Sequence, residues 1–280
     1  MKIGKYTLKS FVSGRVALDG GAMFGVVPKT LWQRTNQADD LNRVQLATRN
    51  LILNSENRKI LIDTGVGEFW DDKFTKIYGV DHERFNLYSG LEKAGLKPDQ
   101  ITDVILTHLH FDHTGGSVVQ ENEKFIPAFP NATYHVQKEH YKWAINPAEK
   151  DRGSFIKDRF VPLFEAGILK LWDETEFDDN INFMLIDGHT FAQQIIKISD
   201  GNETLLFCGD LLPFISHIHL PYIMAYDLQP LKTLEEKKKI FPQAVNENWK
   251  LFFEHDPQYA AATIKQTNSG FAADKLFEEI

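Results

Sequence analysis

Residues 107–116 contain the most informative motif of this chain. They read Thr107-His108-Leu109-His110-Phe111-Asp112-His113-Thr114-Gly115-Gly116. This stretch places three histidines and one aspartate within six consecutive positions, directly after the apolar run Val104-Ile105-Leu106. A short, β-branched apolar run is typical of a buried strand, and the paired glycines let the backbone bend close to a bound group. Imidazoles and carboxylates are ligand types that suit zinc and similar divalent ions. The stretch therefore predicts a metal site where a strand ends and a turn begins.

The spacing within this stretch suits more than one ion. His108 and His110 alternate on one side of an extended segment, whereas Asp112 and His113 follow in the turn and are placed to face a second ion. A lone histidine is usually a surface or packing residue. Four ligand-type residues at H-x-H-x-D-H spacing instead indicate a binding site.

The H-x-H-x-D-H spacing after an apolar strand resembles the signature of the metallo-β-lactamase superfamily. Further segments of that signature appear in the expected order. Upstream lies Ile60-Leu61-Ile62-Asp63-Thr64-Gly65, and downstream lie Asp187-Gly188-His189-Thr190, Phe207-Cys208-Gly209-Asp210 and Phe253-Glu254-His255-Asp256. The resemblance runs from about Asp19 to His255. It implies an α/β fold, the αββα sandwich, in which two mixed β-sheets are flanked by helices.

The resemblance also implies a dimetal hydrolase. It assigns the ligands of one ion to His108, His110 and His189, those of the other to Asp112, His113 and His255, and a bridging role to Asp210. A hydroxide bound by both ions would attack the substrate, and Asp112 would pass a proton to the leaving group. Asp112 and Asp210 are therefore the predicted catalytic residues.

Two further positions refine this predicted site. Asp63 either orients a ligating histidine through a hydrogen bond or serves only as a turn residue, and we favour the orienting role. His110 occupies a position where diiron redox members of the superfamily have a glutamate, which argues against electron transfer. The nitrogen-rich ligand set favours zinc, with iron, manganese and cobalt as alternatives.

The segment at residues 19–29, Asp-Gly-Gly-Ala-Met-Phe-Gly-Val-Val-Pro-Lys, resembles one shared by quorum-quenching lactonases. It reads as a shaped loop, either packed under a sheet or forming an apolar wall beside the metal site. The resemblance implies hydrolysis of N-acyl homoserine lactones. The predicted substrate pocket comprises Met23, Phe24, Phe214, His217 and Tyr222.

This sequence differs from the well-known lactonases at some positions. Pro213 stands where well-known lactonases have a tyrosine, and Tyr222 and Tyr226 are the nearest replacements. Residues 209–228, which include His217, His219 and Asp227, are more similar to a less characterised lactonase-like branch.

Other functions remain as alternatives to the lactonase. A phosphotriesterase or arylesterase of the same fold is the first, and a thioesterase of the glyoxalase II type is the second, although no basic patch for an anionic thiol substrate is evident. β-Lactam hydrolysis and nuclease activity are disfavoured. A non-catalytic binding module is disfavoured because all seven ligand residues are present.

Composition and net charge limit the class of protein and its partners. The 280 residues are 42% hydrophobic and 25% charged, as in a globular domain, and the net charge of −8 argues against a nucleic-acid partner. The single Cys208 allows no intrachain disulfide, and no secretory signal or membrane-spanning stretch is evident. We therefore expect a cytoplasmic protein with a small-molecule ester or lactone substrate, no membrane partner and, by analogy with relatives, a homodimer.

The chain reads as one domain, residues 1–280, built from two similar halves around central sheets. Predicted strands and hairpin arms cover residues 5–16, 46–53, 59–62, 132–137, 181–186, 194–198, 204–208 and 250–253. Predicted helices cover residues 86–94, 138–145, 151–164, 231–240 and 273–280, with 151–164 an amphipathic insertion over the site entrance. His135 and His140 lie outside any ligand spacing and are interpreted as structural or surface residues.

Overall fold

The computed structural model describes residues 1–81 and 84–280. The described strands are, in chain order, β1 (Lys2–Ile3), β2 (Tyr6–Asp19), β3 (Arg43–Asn54), β4 (Lys59–Ile62), β5 (Asp103–Ile105), β6 (Val118–Glu121), β7 (Lys124–Pro127), β8 (Thr133–Gln137), β9 (Leu169–Trp172), β10 (Glu176–Asp178), β11 (Ile181–Ile186), β12 (Gln193–Ser199), β13 (Thr204–Phe207), β14 (Lys250–Phe252), β15 (Ala261–Thr267) and β16 (Gly270–Phe277). The described α-helices are α1 (Gly20–Phe24), α2 (Lys29–Trp32), α3 (Asp72–Tyr78), α4 (Leu87–Lys93), α5 (Phe111–Thr114), α6 (Lys138–Ile145), α7 (Val161–Glu165) and α8 (Pro230–Asn246).

These strands form two seven-stranded sheets and one small hairpin. The first sheet has the order β1-β2-β3-β4-β5-β8-β9, and the second has the order β10-β11-β12-β13-β14-β15-β16. Strands β4, β5, β8 and β9 run parallel, and so do β13 and β14, whereas β3–β4 and β12–β13 are antiparallel. The predicted α/β class with two mixed sheets flanked by helices is confirmed.

The chain divides into two compact units. The first unit comprises residues 1–16 and 47–174, and the second comprises residues 17–46 and 175–280. Each unit contains most of one sheet, so the two sheet-centred halves expected from the sequence are confirmed. The single domain of residues 1–280 stays a prediction.

The core of the first unit surrounds strand β5. Strand β5 lies between β4 and β8, and its residues are buried, as expected for a central parallel strand. Helix α4 packs Leu91 into this core; it begins at Asn86, whose side chain accepts hydrogen bonds from two backbone N–H groups, and is followed by Gly95 at φ +81°. Strand β5 and helix α4 therefore share one core.

The core of the second unit is built around α8. This helix buries Ile240, Phe241 and Ala244 against strands of the second sheet, together with Trp249. It begins at Pro230 and continues through Pro242 to Asn246, so it is longer than the helix predicted over residues 231–240.

Two segments differ from the predicted helices. Residues 151–164 form two 3₁₀ turns followed by the short α7, so the single predicted helix is wrong. Pro162 lacks the N–H that would continue a helix from residue 158, and it lies in the first turn of α7 instead. Residues 273–280 lie largely in β16, which pairs with β15 around a tight turn that ends at Gly270 (φ +128°). The predicted terminal helix is wrong because pairing in the sheet overrides the local helix preference.

Residues 19–32 also contain regular structure where the sequence suggested a loop. Asp19 accepts a hydrogen bond from the backbone N–H of Ala22 (2.8 Å) and thereby begins α1, and α2 follows Pro28. The predicted hairpins over residues 46–62 and 194–208 are confirmed, as is the strand and helix pair over residues 132–145.

Candidate metal centre

In the first unit, the predicted ligands follow the ends of parallel strands β4 and β5. Asp63 comes directly after β4, and His108, His110 and the short helix α5 come after β5. Because the carboxyl ends of adjacent parallel strands lie at one edge of a sheet, these side chains converge there. The four ligand residues His108, His110, Asp112 and His113 are all buried.

The two histidines nearest to β5 face each other. Nε2 of His108 lies 3.1 Å from Nδ1 of His110. The Thr107 hydroxyl donates to Asp63 (2.6 Å), so it accepts from Nδ1 of His108, 3.0 Å away. Nε2 of His108 therefore keeps its lone pair, which points towards His110 and suits a shared metal ion.

Asp63 holds the third histidine of the stretch. Its Oδ2 lies 3.0 Å from Nδ1 of His113, and its Oδ1 accepts from the backbone N–H of Thr107 (2.7 Å). Asp63 has φ +53°, a left-handed conformation that aspartate tolerates better than most residues. Its carboxylate is therefore placed to fix His113 with Nε2 as the ligating atom, the arrangement predicted for an orienting residue.

His140 and His135 have structural contacts. Nε2 of His140 accepts a hydrogen bond from the backbone N–H of Leu109 (2.9 Å), inside the ligand stretch. Nε2 of His135 lies 2.9 Å from Asp103, and its Nδ1 accepts from the indole N–H of Trp172. Both histidines are buried, so the structural interpretation holds and the surface alternative is wrong.

The paired glycines approach the chain itself. A Cβ on Gly115 would lie 1.8 Å from the carbonyl oxygen of Val66, and one on Gly116 would lie 2.4 Å from that of Thr64. The close approach therefore joins α5 to the turn after β4, which positions Asp63 against His113. The expected approach to a bound group is not needed to explain these glycines.

One aromatic residue near Asp112 was not predicted. Tyr78, at the end of α3, packs its ring 4.8 Å from that of Phe111. Burial raises the pKa of Tyr78, and the neighbouring carboxylate of Asp112 raises it further. No residue spacing indicates Tyr78, because its segment lacks clear periodicity.

In the second unit, three predicted ligands follow strands β11, β13 and β14. His189 and His255 lie on opposite oxygens of one carboxylate: Nε2 of His189 is 3.0 Å from Oδ2 of Asp210, and Nε2 of His255 is 3.0 Å from Oδ1. A carboxylate that presents each oxygen to a different histidine has the geometry of a ligand bridging two ions. All three side chains are buried.

Asp227 orients His189 and was not predicted to do so. Its Oδ1 lies 2.9 Å from Nδ1 of His189, and its Oδ2 accepts from the Thr233 hydroxyl at 2.7 Å. Burial lowers the pKa of His189, but the carboxylates of Asp210 and Asp227 outweigh burial and raise it to about 9. In the metal-free protein this ring therefore carries a second proton at neutral pH, and a metal ion would replace that proton.

The five predicted pocket residues lie together in the second unit. The ring of Phe24 lies 6.0 Å from Phe214, 5.1 Å from His217 and 5.8 Å from Tyr222, and the backbone carbonyl of Met23 contacts His217. Phe24 and Phe214 are fully buried, whereas Tyr222 is half-buried. Their contact with a substrate stays a prediction.

The donor set fits divalent metal ions. Buried imidazole nitrogens and carboxylate oxygens in these numbers are expensive to leave without a cation, and they are the ligand types that zinc prefers. The repeated pattern, in which the far nitrogen of a ring is hydrogen-bonded to a carboxylate, is typical of metal-ligating histidines.

Comparison with known proteins agrees with this geometry. The chain is 24% identical over 225 residues to the N-acyl homoserine lactonase AiiA of Bacillus thuringiensis subsp. kurstaki, covering 73% of this chain and 79% of the relative. A probable metal-dependent hydrolase from Staphylococcus aureus superposes with a TM-score of 0.90 at 28% identity over 99% of this chain and 98% of the other. The dizinc quorum-quenching lactonase AidC, in complex with its product N-hexanoyl-L-homoserine, superposes with a TM-score of 0.81 at 25% identity, covering 98% and 95%.

The family assignment rests on a match over most of the chain. Residues 48–263 match the model of the metallo-β-lactamase superfamily, and this range includes every predicted metal ligand. The chain belongs to the metallo-β-lactamase superfamily.

Proposed function

We propose that this protein is a metal-dependent lactonase that opens N-acyl homoserine lactones in the cytoplasm and so quenches quorum signals. The observation that carries the metal-dependent part is the Asp210 carboxylate, whose two oxygens each face a different histidine. The lactone part is supported by relatives such as AiiA and AidC, which are lactonases by name.

We assign one ion to His108, His110 and His189, a second to Asp112, His113 and His255, and the bridge to Asp210. Zinc is the proposed metal, because nitrogen ligands dominate the set. When bound, two such ions supply a nucleophile from water at neutral pH and polarise the substrate carbonyl oxygen.

The protein groups divide the remaining work. Asp63 and Asp227 fix the rings of His113 and His189, so that their Nε2 atoms face the centre. As the ring C–O bond of the lactone breaks, Asp112 delivers a proton to the departing alkoxide oxygen. The products are the carboxylate and hydroxyl of the ring-opened N-acyl homoserine.

Met23, Phe24, Phe214, His217 and Tyr222 are the proposed contacts for the acyl part of the substrate. The rings of Phe214, His217 and Tyr222 pack around Phe24, and the Met23 carbonyl oxygen contacts His217, which supports a common group of contacts. A homodimer is also part of this proposal, by analogy with relatives.

The test is a pH-stat assay of zinc-loaded protein on N-acyl homoserine lactones of short and long acyl chain, beside a phosphotriester and a thioester. We expect acid release from the lactones, its loss with a chelator, and its loss in an Asp210→Asn variant. Turnover of the phosphotriester or the thioester alone would reject the lactonase and favour the corresponding esterase. Undiminished lactone hydrolysis after complete metal removal would reject the metal mechanism.

A further inference from the structure

The imidazole of His217 is held in one tautomer. Its Nε2 lies 2.9 Å from the backbone carbonyl oxygen of Met23, and a carbonyl oxygen only accepts hydrogen bonds. Nε2 therefore carries the hydrogen, and Nδ1 carries a lone pair. His217 is 1% exposed, so this lone pair is hidden from bulk water.

Nδ1 of His217 has no hydrogen-bond partner among the residues that the structure describes. Buried polar atoms are almost always paired, so an acceptor left without a donor points to a missing group. Burial lowers the pKa of His217 to about 3, and the charge of Lys237 lowers it further, so the ring stays neutral. The missing group must therefore be a hydrogen-bond donor.

The ring cannot easily turn to find a donor within the protein. It stacks on Phe24 with centroids 5.1 Å apart and planes 23° apart. Nζ of the buried Lys237 donates to the backbone carbonyl oxygens of His217 (3.0 Å) and Tyr222 (2.6 Å). The backbone and the ring are fixed together, as expected for a preorganised contact.

The segment that carries this ring lies next to a proposed metal ligand. The backbone N–H of Ile215, two positions before His217, donates to Asp256 (3.0 Å), the residue that follows His255. His217 also packs against Phe24 and Phe214, which belong to the proposed acyl surface. The acceptor therefore lies on a segment that contacts both the proposed acyl surface and the residue next to His255.

We propose that Nδ1 of His217 accepts a hydrogen bond from an N–H group of the substrate, so that His217 selects lactones with an amide substituent over lactones without one. A lactone ring itself offers only acceptor oxygens, whereas the amide of an N-acyl amino lactone supplies one donor next to the ring. A site built to pair with a substrate N–H discriminates strongly against an analogue that lacks it, because the buried acceptor is then left unpaired. This inference rests on the lactonase function proposed above.

The test compares two substrates and two variants. The substrates are N-hexanoyl homoserine lactone and its analogue in which CH2 replaces the amide N–H. His217→Gln keeps an N–H donor for the Met23 carbonyl but has no polar atom at the Nδ1 position. His217→Asn keeps a polar atom near the Nδ1 position but loses the Met23 contact. Binding of the ring-opened N-hexanoyl homoserine and its CH2 analogue, measured by calorimetry, gives a second readout.

We expect wild-type kcat/KM for the amide substrate to exceed that for the CH2 analogue by about tenfold or more. His217→Gln should bring the ratio of the two kcat/KM values close to one, while His217→Asn keeps part of the preference for the amide substrate. The product affinities should follow the same pattern.

Three outcomes would overturn the assignment. Equal wild-type turnover of both substrates would show that no selective N–H contact exists. A His217→Gln variant that loses both activities equally, with a lower Tm, would give His217 a structural role only; if that variant does not fold, the wild-type ratio and His217→Asn decide. Hydrolysis of neither lactone by zinc-loaded wild type would reject the lactonase function itself, and with it the proposed selectivity.

Discussion

Each unit contains a histidine whose far side is held by a buried carboxylate. Asp63 holds His113 in the first unit, and Asp227 holds His189 in the second. A threonine hydroxyl, from Thr107 or Thr233, donates to the same carboxylate in each case. In both arrangements the carboxylate contacts Nδ1, so that Nε2 is left to face the proposed metal centre.

These carboxylates give a matched pair of predictions. Asp63→Asn and Asp227→Asn should each weaken zinc affinity by about 10- to 100-fold, because the amide is a poorer acceptor for the imidazole N–H. Competition with a chromogenic chelator measures the affinity. The exposed Asp99→Asn serves as the control and should bind zinc as the wild type does. Wild-type affinity in both test variants would refute the orienting role.

The proton delivery assigned to Asp112 makes a kinetic prediction. Asp112→Asn should lower kcat on a lactone by about 10²- to 10⁴-fold, since general acid catalysis contributes on this scale. The metal content of the variant must be measured beside its activity, because Asp112 is also a proposed ligand. A variant that keeps two ions and full activity would exclude Asp112 as the proton donor.

Some of these site residues can be predicted from the sequence, and others cannot. The seven proposed ligands and Asp63 are readable because each directly follows an apolar strand segment at a recognisable spacing. Asp227 is 38 positions from His189 and meets it only after β11 and the start of α8 are in place. Tyr78 contacts Phe111 and is affected by the charge of Asp112 only because of how α3 packs, and no local sequence pattern predicts that packing.

At the scale of elements, the turn after β4 and helix α5 are packed backbone to backbone. Gly115→Ala should destabilise the protein by about 1–3 kcal/mol, because its Cβ would lie 1.8 Å from the carbonyl oxygen of Val66. Gly153→Ala is the matched control, since a Cβ there meets nothing within 4 Å. Urea unfolding measures both, and equal stability of the two variants would contradict the packing described here.

Helix α8 carries a buried lysine under the segment that contains His217. Burial lowers the pKa of Lys237 to about 7, although the charge of Asp227 opposes this effect. The unfolded chain therefore binds more protons than the folded chain between pH 7 and the ordinary lysine pKa of about 10.4. Stability contributed by this group rises with pH over that window, because folding releases the lysine proton and this release costs less free energy as the pH rises.

Lys237→Met should flatten this dependence. We expect the free energy of unfolding of the wild type to increase, relative to the variant, as the pH rises from about 7 to 10. Urea unfolding at several pH values measures the difference between the two proteins. A constant difference across this range would show that Lys237 does not change its protonation on folding.

The elements that sequence patterns missed share one cause. Residues 273–280 have the composition of a helix, yet they pair with β15 because that edge of the sheet is available to them. In residues 151–164, Arg159 is buried between the rings of Trp70 and Phe125, and such a contact depends on distant residues. Strands β4, β5, β11 and β14 were predictable because they are short apolar runs bounded by turn residues.

At the scale of the whole molecule, charge and composition limit the substrate more than they identify it. A net charge of −8 disfavours polyanionic partners and leaves uncharged lactones as suitable substrates. Among the residues that the structure describes, no helix is long and apolar enough to cross a membrane. Membership of the metallo-β-lactamase superfamily and the clustered histidines and aspartates together support a metal-dependent hydrolase.

The measurement that tests the central claim most directly is a zinc titration of the metal-free protein, followed by acid release from N-hexanoyl homoserine lactone. We predict negligible hydrolysis without metal, and activity that rises and levels off at two zinc ions per chain. An Asp210→Asn variant should bind zinc more weakly and stay nearly inactive. Full activity of the metal-free protein, or zinc-saturated protein that leaves the lactone intact, would contradict the account.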